Sequence, residues 1–294
     1  MRGNKHAVGV LALLVCTLIW GTSFVVLKDA LGSVPTLWIL AIRFTGAALL
    51  MALFAGKKLK TLDRGYLRGG AVMGLCLALA YILQTFGLVY TTPGKNAFLT
   101  DTYCVLVPFL WWFFKKVKPD RYNLTAAALC IVGIGLVSLT EKLSIGVGDG
   151  VTLSCGLFYA LHIIATSYFI EGRDPVLLSL VQFAAGAVLC WVLAPLAEPF
   201  PASVPAAAWW EIAYLCLMCT GVSFLLQTLG QKYTPPSEVS ILLMLESVFG
   251  VILSVIFYHE HLTLRVLSGF ALIFIAILIS ETKLEFLHHK KTDF

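Results

Sequence analysis

Residues 83–93 read LQTFGLVYTTP and residues 226–236 read LQTLGQKYTPP. The two windows agree at seven of eleven positions and stand 143 residues apart. Each sits where one long apolar run ends and the next begins. The same offset carries 81–140 onto 224–283 without a gap. Earlier in each half, Pro35 to Leu49 falls on Pro175 to Leu189 at offset 140, with Leu37/Leu177, Leu40/Leu180, Gly46/Gly186, Ala47/Ala187 and Leu49/Leu189 matched. The first helices of the halves match weakly. The chain is therefore read as two repeats, 1–144 and 145–294.

The solvent of these repeats follows from composition. The chain is 59% hydrophobic and 13% charged, with a mean hydropathy of +0.90. Soluble domains carry roughly 25% charged residues. So little charge cannot clothe 294 residues in water. A helix needs roughly 20 apolar residues to cross a hydrocarbon core. Ten such runs fall near 7–27, 35–55, 68–90, 94–114, 124–140, 149–170, 175–196, 207–230, 236–258 and 263–282. They are continuously apolar rather than alternating, which argues against a β-barrel. The first run lacks a small-x-small cleavage site and continues past Gly21-Thr22-Ser23, so it reads as a true span. The expected fold is an all-α integral membrane protein. Ten transmembrane helices form two five-helix repeats, and because five is odd the second enters the membrane inverted.

Loop charge sets the expected orientation. With the N-terminus inside, sixteen of the 21 Lys and Arg fall on the cytoplasmic side. Four (Lys28, Lys95, Lys142 and Arg265) fall outside, and Arg43 lies within a span. Both termini are expected in the cytoplasm. The net charge of +5 is then a topology signal and gives no support to nucleic-acid binding.

Several chemistries find no footing. All eight cysteines lie in apolar runs, where thiols act as small hydrophobes. Cys216 and Cys219 form a CxxC with no second pair or nearby His, so neither metal binding nor a disulfide framework is expected. There is no GxxxxGK[ST] loop, and Gly133-Ile134-Gly135 lacks the third glycine and the strand of a dinucleotide fold. No cofactor is called for. Work done by this chain would draw on an ion or substrate gradient.

The local motifs resemble a known family. In the first half they are Trp20-Gly21-Thr22-Ser23-Phe24, Arg43-Phe44, the stretch from Gly87 through Tyr90 and Pro93 to Phe98, and Val107-Pro108. In the second they are Leu245-Glu246-Ser247-Val248-Phe249 and His259-Glu260-His261-Leu262-Thr263. Taken in order over ten spans, the chain resembles the drug/metabolite transporter superfamily, EamA type. That resemblance implies an alternating-access carrier, not an enzyme, with a central cavity lined from both halves. It implies a multi-pass protein of the bacterial inner membrane that moves small polar metabolites such as amino acids or related amines, outward more often than inward. The first-half counterpart of Glu246 is Tyr103, so the halves are chemically unequal there.

Ionisable residues in lipid are costly, and each is a site candidate. Glu246 lies about ten residues into the ninth span and reads as a substrate and proton-coupling residue; the alternative is a carboxyl held by packing. Asp101, about seven residues into the fourth, is a second proton or cation candidate, or else a partner of Arg43 or Lys95. Arg43 is expected in a structural ion pair with Asp101 or Glu246. Trp20 and Ser23, three apart on the first span, can face one cavity. Tyr81, Gln84, Tyr103, Ser223 and Gln227 complete a polar and aromatic lining. Gln84 and Gln227 are equivalent in the repeat and read equally well as interhelical glue. His162 stands one turn from Tyr159 and Thr166 and joins the lining as a candidate. His259-Glu260-His261 lacks the spacing of a zinc motif and reads as a capping turn.

Two other classes compete. An intramembrane lipid-modifying enzyme needs clustered acids, His or Cys at one face, whereas Asp63, Asp120 and Asp174 are scattered. A receptor would bind without flux. The partners expected are a small-molecule substrate, the lipid bilayer and protons. Gly70 and Gly74 form a GxxxG that fits an internal helix contact better than a dimer; one chain holding both repeats could work as a monomer, and dimerisation stays open.

Overall fold

The computed structural model describes residues 2–116, 118–139, 145–233, 242–243 and 245–283. Those residues form helices and no strand; one isolated bridge joins Leu139 to Ile145. In chain order the helices are α1 (Arg2–Ala30), α2 (Thr36–Ala55), a 3-10 turn (Gly56–Thr61), α3 (Arg64–Tyr90), α4 (Pro93–Asp101), α5 (Tyr103–Lys115) and α6 (Arg121–Ser138). The second half continues with α7 (Val147–Phe169), α8 (Pro175–Ala197), α9 (Ala206–Tyr214), a π-helical segment (Leu215–Val222), α10 (Ser223–Tyr233), α11 (Leu245–Tyr258) and α12 (Leu264–Thr282). Among the described residues, eight helical stretches are long and apolar enough to cross a bilayer, and Leu245–Tyr258 and Leu264–Ser280 are shorter apolar helices. Ten spans in two five-helix repeats account for them.

Helices are the form such a sequence must take, because hydrocarbon offers backbone N–H and C=O groups no partner. Their starts are written in short polar caps. Asp63 accepts from Tyr66 N, Thr92 from Lys95 N ahead of Pro93, and Asp174 from Val176 N and Leu177 N ahead of Pro175. Thr263 accepts from Val266 N. Asp120 closes a capping box with Asn123 and lies 2.8 Å from Lys283. That lysine and the capped N–H groups hold the Asp120 carboxyl below the ordinary aspartate range. The first repeat window turns α3 into α4 ahead of Pro93. Its counterpart at Pro236 lies outside the described residues, as do Lys142, Lys290 and Lys291.

Two spans depart from simple helices. The fourth is not one helix but two, broken at Thr102. The Thr102 hydroxyl donates to Leu99 O at 2.7 Å, taking the carbonyl that Tyr103 N would use in a continuous α-helix. Pro108, five residues into α5, has no N–H for the Cys104 carbonyl. The eighth span widens into the π-helical segment. There Thr220 Oγ1 donates to Leu215 O at 3.0 Å and Ser223 Oγ to Met218 O at 2.9 Å, both five residues back. The repeat-equivalent part of α3 stays α-helical.

The halves interlock rather than stand side by side. α3 packs most extensively on α7, and its repeat-mate α10 on α1; α2 packs on its own counterpart α8, and α6 on α12. Small residues permit the close approaches. A Cβ on Gly74 would lie 2.3 Å from Gln182 O, and one on Gly70 would lie 2.4 Å from Val181 Cβ. The GxxxG face is therefore spent on α8 within the chain. Each of the three buried apolar clusters draws on both halves. The middle of the bundle is thus a seam between the repeats. One end carries Lys28, Thr92 and Glu260, and the other carries Arg68 and Arg173; they are called here the Glu260 end and the Arg173 end.

Candidate functional site

At mid-bundle an aromatic row runs across the seam. The Arg43 guanidinium of α2 lies 4.7 Å from the Tyr81 ring centroid on α3. Tyr81 stands 5.8 Å from Tyr159 on α7, and Tyr159 stands 5.7 Å from Tyr103 at the start of α5. Phe44 buttresses Tyr81 edge-on at 5.4 Å. A cation over an aromatic face in a desolvated place is stabilised by about 2 kcal/mol.

Two acids, one at the helix break and one on α11, lie near the other end of the row. Asp101, the last residue of α4, is buried and accepts a hydrogen bond from Ser247 of α11. Its Oδ2 has no partner. Glu246, adjacent to Ser247, lies in the interior within electrostatic reach of both Asp101 and Arg43. It nevertheless keeps part of its surface accessible, as do Tyr103 and Tyr159. A carboxyl in such a place can hold a proton or an ammonium group.

Arg43 does not make the ion pair expected of it. Among the described residues no carboxylate lies within ion-pair distance of it. Its Nε donates to Thr220 Oγ1 at 2.7 Å and its Nη2 approaches Tyr81 Oη at 3.5 Å. The π-helical turn brings Thr220 to α2, and the acids sit on other helices. Lys95, the other partner considered for Asp101, lies 3.5 Å from Asp149 instead.

The remaining candidates divide. Trp20 donates from Nε1 to Cys219 O at 2.8 Å, packs edge-on to Phe224 and stays partly accessible. Ser23 is buried on α1, one residue before Phe24, which packs near Gly250 of α11. Gln227 on α10 is partly accessible. Gln84 is bonded at both ends of its amide: its Nε2 donates to Thr100 Oγ1 at 3.0 Å and its Oε1 accepts from Tyr159 Oη at 2.8 Å. Ser223 is sealed, with its hydroxyl committed to Met218 O, so it does not line the site in this conformation. His162 turns to α8, 2.9 Å from Gln182 Oε1, and is not in the aromatic row.

Sequence reading passed over Asn96, Thr152 and Thr220. Asn96 is fully buried and donates to Gln84 O at 3.1 Å and Thr152 Oγ1 at 2.7 Å, tying α3, α4 and α7 together. An Asn four residues before Thr100 in an apolar span was the available signal. Thr220 had none, because the π-helical turn that presents it has no pattern in the residues.

This architecture and these motifs have relatives. The EamA-like transporter family matches over residues 7–139 and again over 146–282. The chain belongs to the EamA-like transporter family. An Archaeoglobus fulgidus protein named an uncharacterized transporter is 33% identical over 286 residues, covering 95% of this chain and 87% of that protein. YoaV of Bacillus subtilis (strain 168), also named an uncharacterized transporter, is 24% identical over 275 residues, covering 90% and 93%. A crystal structure at 16% identity superposes over 94% of this chain and 98% of its own with a TM-score of 0.65, a likeness of fold. The two EamA-like matches divide the chain close to where its repeats do. This EamA-like chain is a multi-pass membrane transporter in the drug/metabolite transporter superfamily.

Proposed function

We propose that this EamA-like chain is a secondary carrier that moves a small polar metabolite, of the amino-acid or amine class, through the seam between its repeats. Transport is outward, across a bacterial inner membrane in which both termini are cytoplasmic. Glu246 and Asp101 bind the substrate's cationic group or the coupling proton, and the row Tyr81–Tyr159–Tyr103 forms the wall along which the substrate lies. Trp20 and Gln227 close the lining from α1 and α10. The observation that carries this reading is Glu246: an interior carboxyl on a transporter seam, with accessible surface and a second carboxyl beside it. A structural carboxyl in lipid would be saturated with donors and sealed.

The test is uptake into liposomes holding the purified chain, with labelled amino acids and amines, a proton gradient imposed or collapsed, and Glu246→Gln alongside. Flux that follows the gradient and is lost in Glu246→Gln supports the reading. Gradient-independent flux that survives in Glu246→Gln makes the chain a facilitator and returns Glu246 to packing. The same vesicles report direction when substrate is loaded inside or outside.

A further inference from the structure

Glu260 sits in the turn after α11, and its carboxylate reaches across the seam to the start of α4. Its Oε1 accepts from Thr92 Oγ1 at 2.5 Å. Its Oε2 accepts from Ser254 Oγ at 2.5 Å and from Gly94 N at 3.3 Å. A carboxylate is favoured at the first turn of a helix, where N–H groups lack intrahelical partners. A Cβ on Gly94 would stand 2.7 Å from Oε2, so the approach depends on that glycine.

α4 is thus a short rod tied to α11 at both ends. One tie is Glu260; the other is the Asp101–Ser247 hydrogen bond, next to the break at Thr102. Further ties surround the Glu260 end. Lys28 donates to Val89 O at 3.0 Å and Thr91 O at 2.9 Å, closing the end of α3 onto α1. Asp149 accepts from Thr91 Oγ1 at 2.5 Å, and Tyr258 donates to Asp29. The Arg173 end has ties of its own, Asp174 N to Tyr66 Oη at 2.9 Å and Lys58 to Asp174 at 2.7 Å, and beside them a cavity of about 730 Å³ opens between α3, α5 and α7, with Arg68, Trp111 and Arg173 in its lining and none of the aromatic row.

The repeat sets the Glu260 contacts apart. In an inverted duplication the two gates are built from equivalent residues. The 143 offset places the caps Asp120 and Thr263 on each other, which anchors the register. In that register Glu260 falls on Val117, Thr92 on Pro235 and Ser254 on Trp111. These three equivalents carry neither the carboxylate nor the two hydroxyls, and Val117 and Pro235 lie outside the described residues.

We propose that Glu260 is the latch of the gate at its end of the bundle, that α4 swings on Thr102 when this gate opens, and that the empty carrier rests with it shut. The substrate-free protein then presents its site to the Arg173 end. Because α4 carries Asp101 at its inner end, whatever binds there acts on the same rod that Glu260 holds. The proposal needs only a transporter, not a particular substrate or coupling ion.

Sidedness of labelling tests it without substrate. A cysteine is placed by Gln227→Cys and exposed to a membrane-impermeant thiol reagent in vesicles of either orientation, with modification of that peptide scored by mass spectrometry. The expected result is labelling from the Arg173 end alone. Adding Glu260→Ala opens labelling from the Glu260 end, at a rate at least about tenfold above the parent, since a latch of charge-assisted hydrogen bonds is lost. Parent labelling from the Glu260 end, or from neither, overturns the resting state proposed. Unchanged sidedness in a Glu260→Ala protein that elutes and melts as a folded species overturns the latch. If Glu260→Ala does not fold, Thr92→Val with Ser254→Ala removes two of the three donors and is judged by the same sidedness.

Discussion

Arg43 Nε donates to Thr220 Oγ1 at 2.7 Å, and the same hydroxyl donates onward to Leu215 O at 3.0 Å. A buried guanidinium is thereby held by a neutral side chain on a π-helical turn, and among the described residues neither Glu246 nor Asp101 has an ion pair. Thr220→Val keeps the shape and removes the acceptor. A hydrogen bond to a charged group contributes about 1.5–3 kcal/mol, so the unfolding midpoint in detergent falls by a corresponding amount, while Thr220→Ser stays close to the parent. A Thr220→Val protein as stable as the parent would show that Arg43 does not depend on this bond.

Gly74 meets α8 with no room to spare. Its added Cβ would stand 2.3 Å from Gln182 O and 2.9 Å from Ala185 Cβ, whereas a Cβ on Gly135 of α6 meets only Leu139 Cδ1 at 3.5 Å. Gly74→Ala is expected to destabilise by about 1–3 kcal/mol, and Gly135→Ala to be tolerated. Thermal unfolding and size-exclusion elution separate the readings. A stable Gly74→Ala with altered elution would place this face between chains rather than within one.

Gln84 and Gln227 are equivalent in the repeat yet differ in employment. Gln84 is bonded at both ends of its amide, to Thr100 and Tyr159, while Gln227 is partly accessible on α10. Gln84→Leu leaves two hydroxyl groups to find other partners and lowers stability by about 1–3 kcal/mol. Gln227→Leu shifts the midpoint by no more than about 0.5 kcal/mol. Equal losses in the two variants would contradict this division of labour.

Asp120 couples the ends of α6 and α12 in a pH-dependent way. The Lys283 ammonium and the N–H groups of Asn123 and Tyr122 favour its ionised form, so its folded pKa lies below the unfolded one. The cap therefore stabilises the protein above the unfolded aspartate pKa and loses its effect as pH falls through the folded value. Asp120→Ala costs about 1 kcal/mol near neutral pH, chiefly as a lost N-cap, because an exposed pair with Lys283 adds little. Melting curves of Asp120→Ala and the parent should converge at acid pH; a constant gap would assign the loss to something other than this carboxylate.

The membrane class, the ten spans and the duplication were legible in the residues, because hydrocarbon leaves a backbone few choices and apolar runs record them directly. The caps at Asp63, Thr92, Asp120, Asp174 and Thr263 are equally local, although the sequence reading took none of them as caps. The break at Thr102 was not read, since a hydroxyl competing for a carbonyl three residues back leaves no mark in hydropathy. Of the site, Glu246 and Asp101 stood out as acids in lipid. The pairing of Arg43 was misjudged, because charge within a span says that a partner is needed and does not say which helix supplies it.

By itself the sequence determined what each half is: five apolar helices, their ends, and an inverted copy. Only the tertiary structure decided which polar groups meet. Helices that are apolar all round carry little information about rotation, so the facing of Arg43 to Thr220, of Gln84 to Tyr159 and of Glu260 to the start of α4 is set by close packing between the repeats.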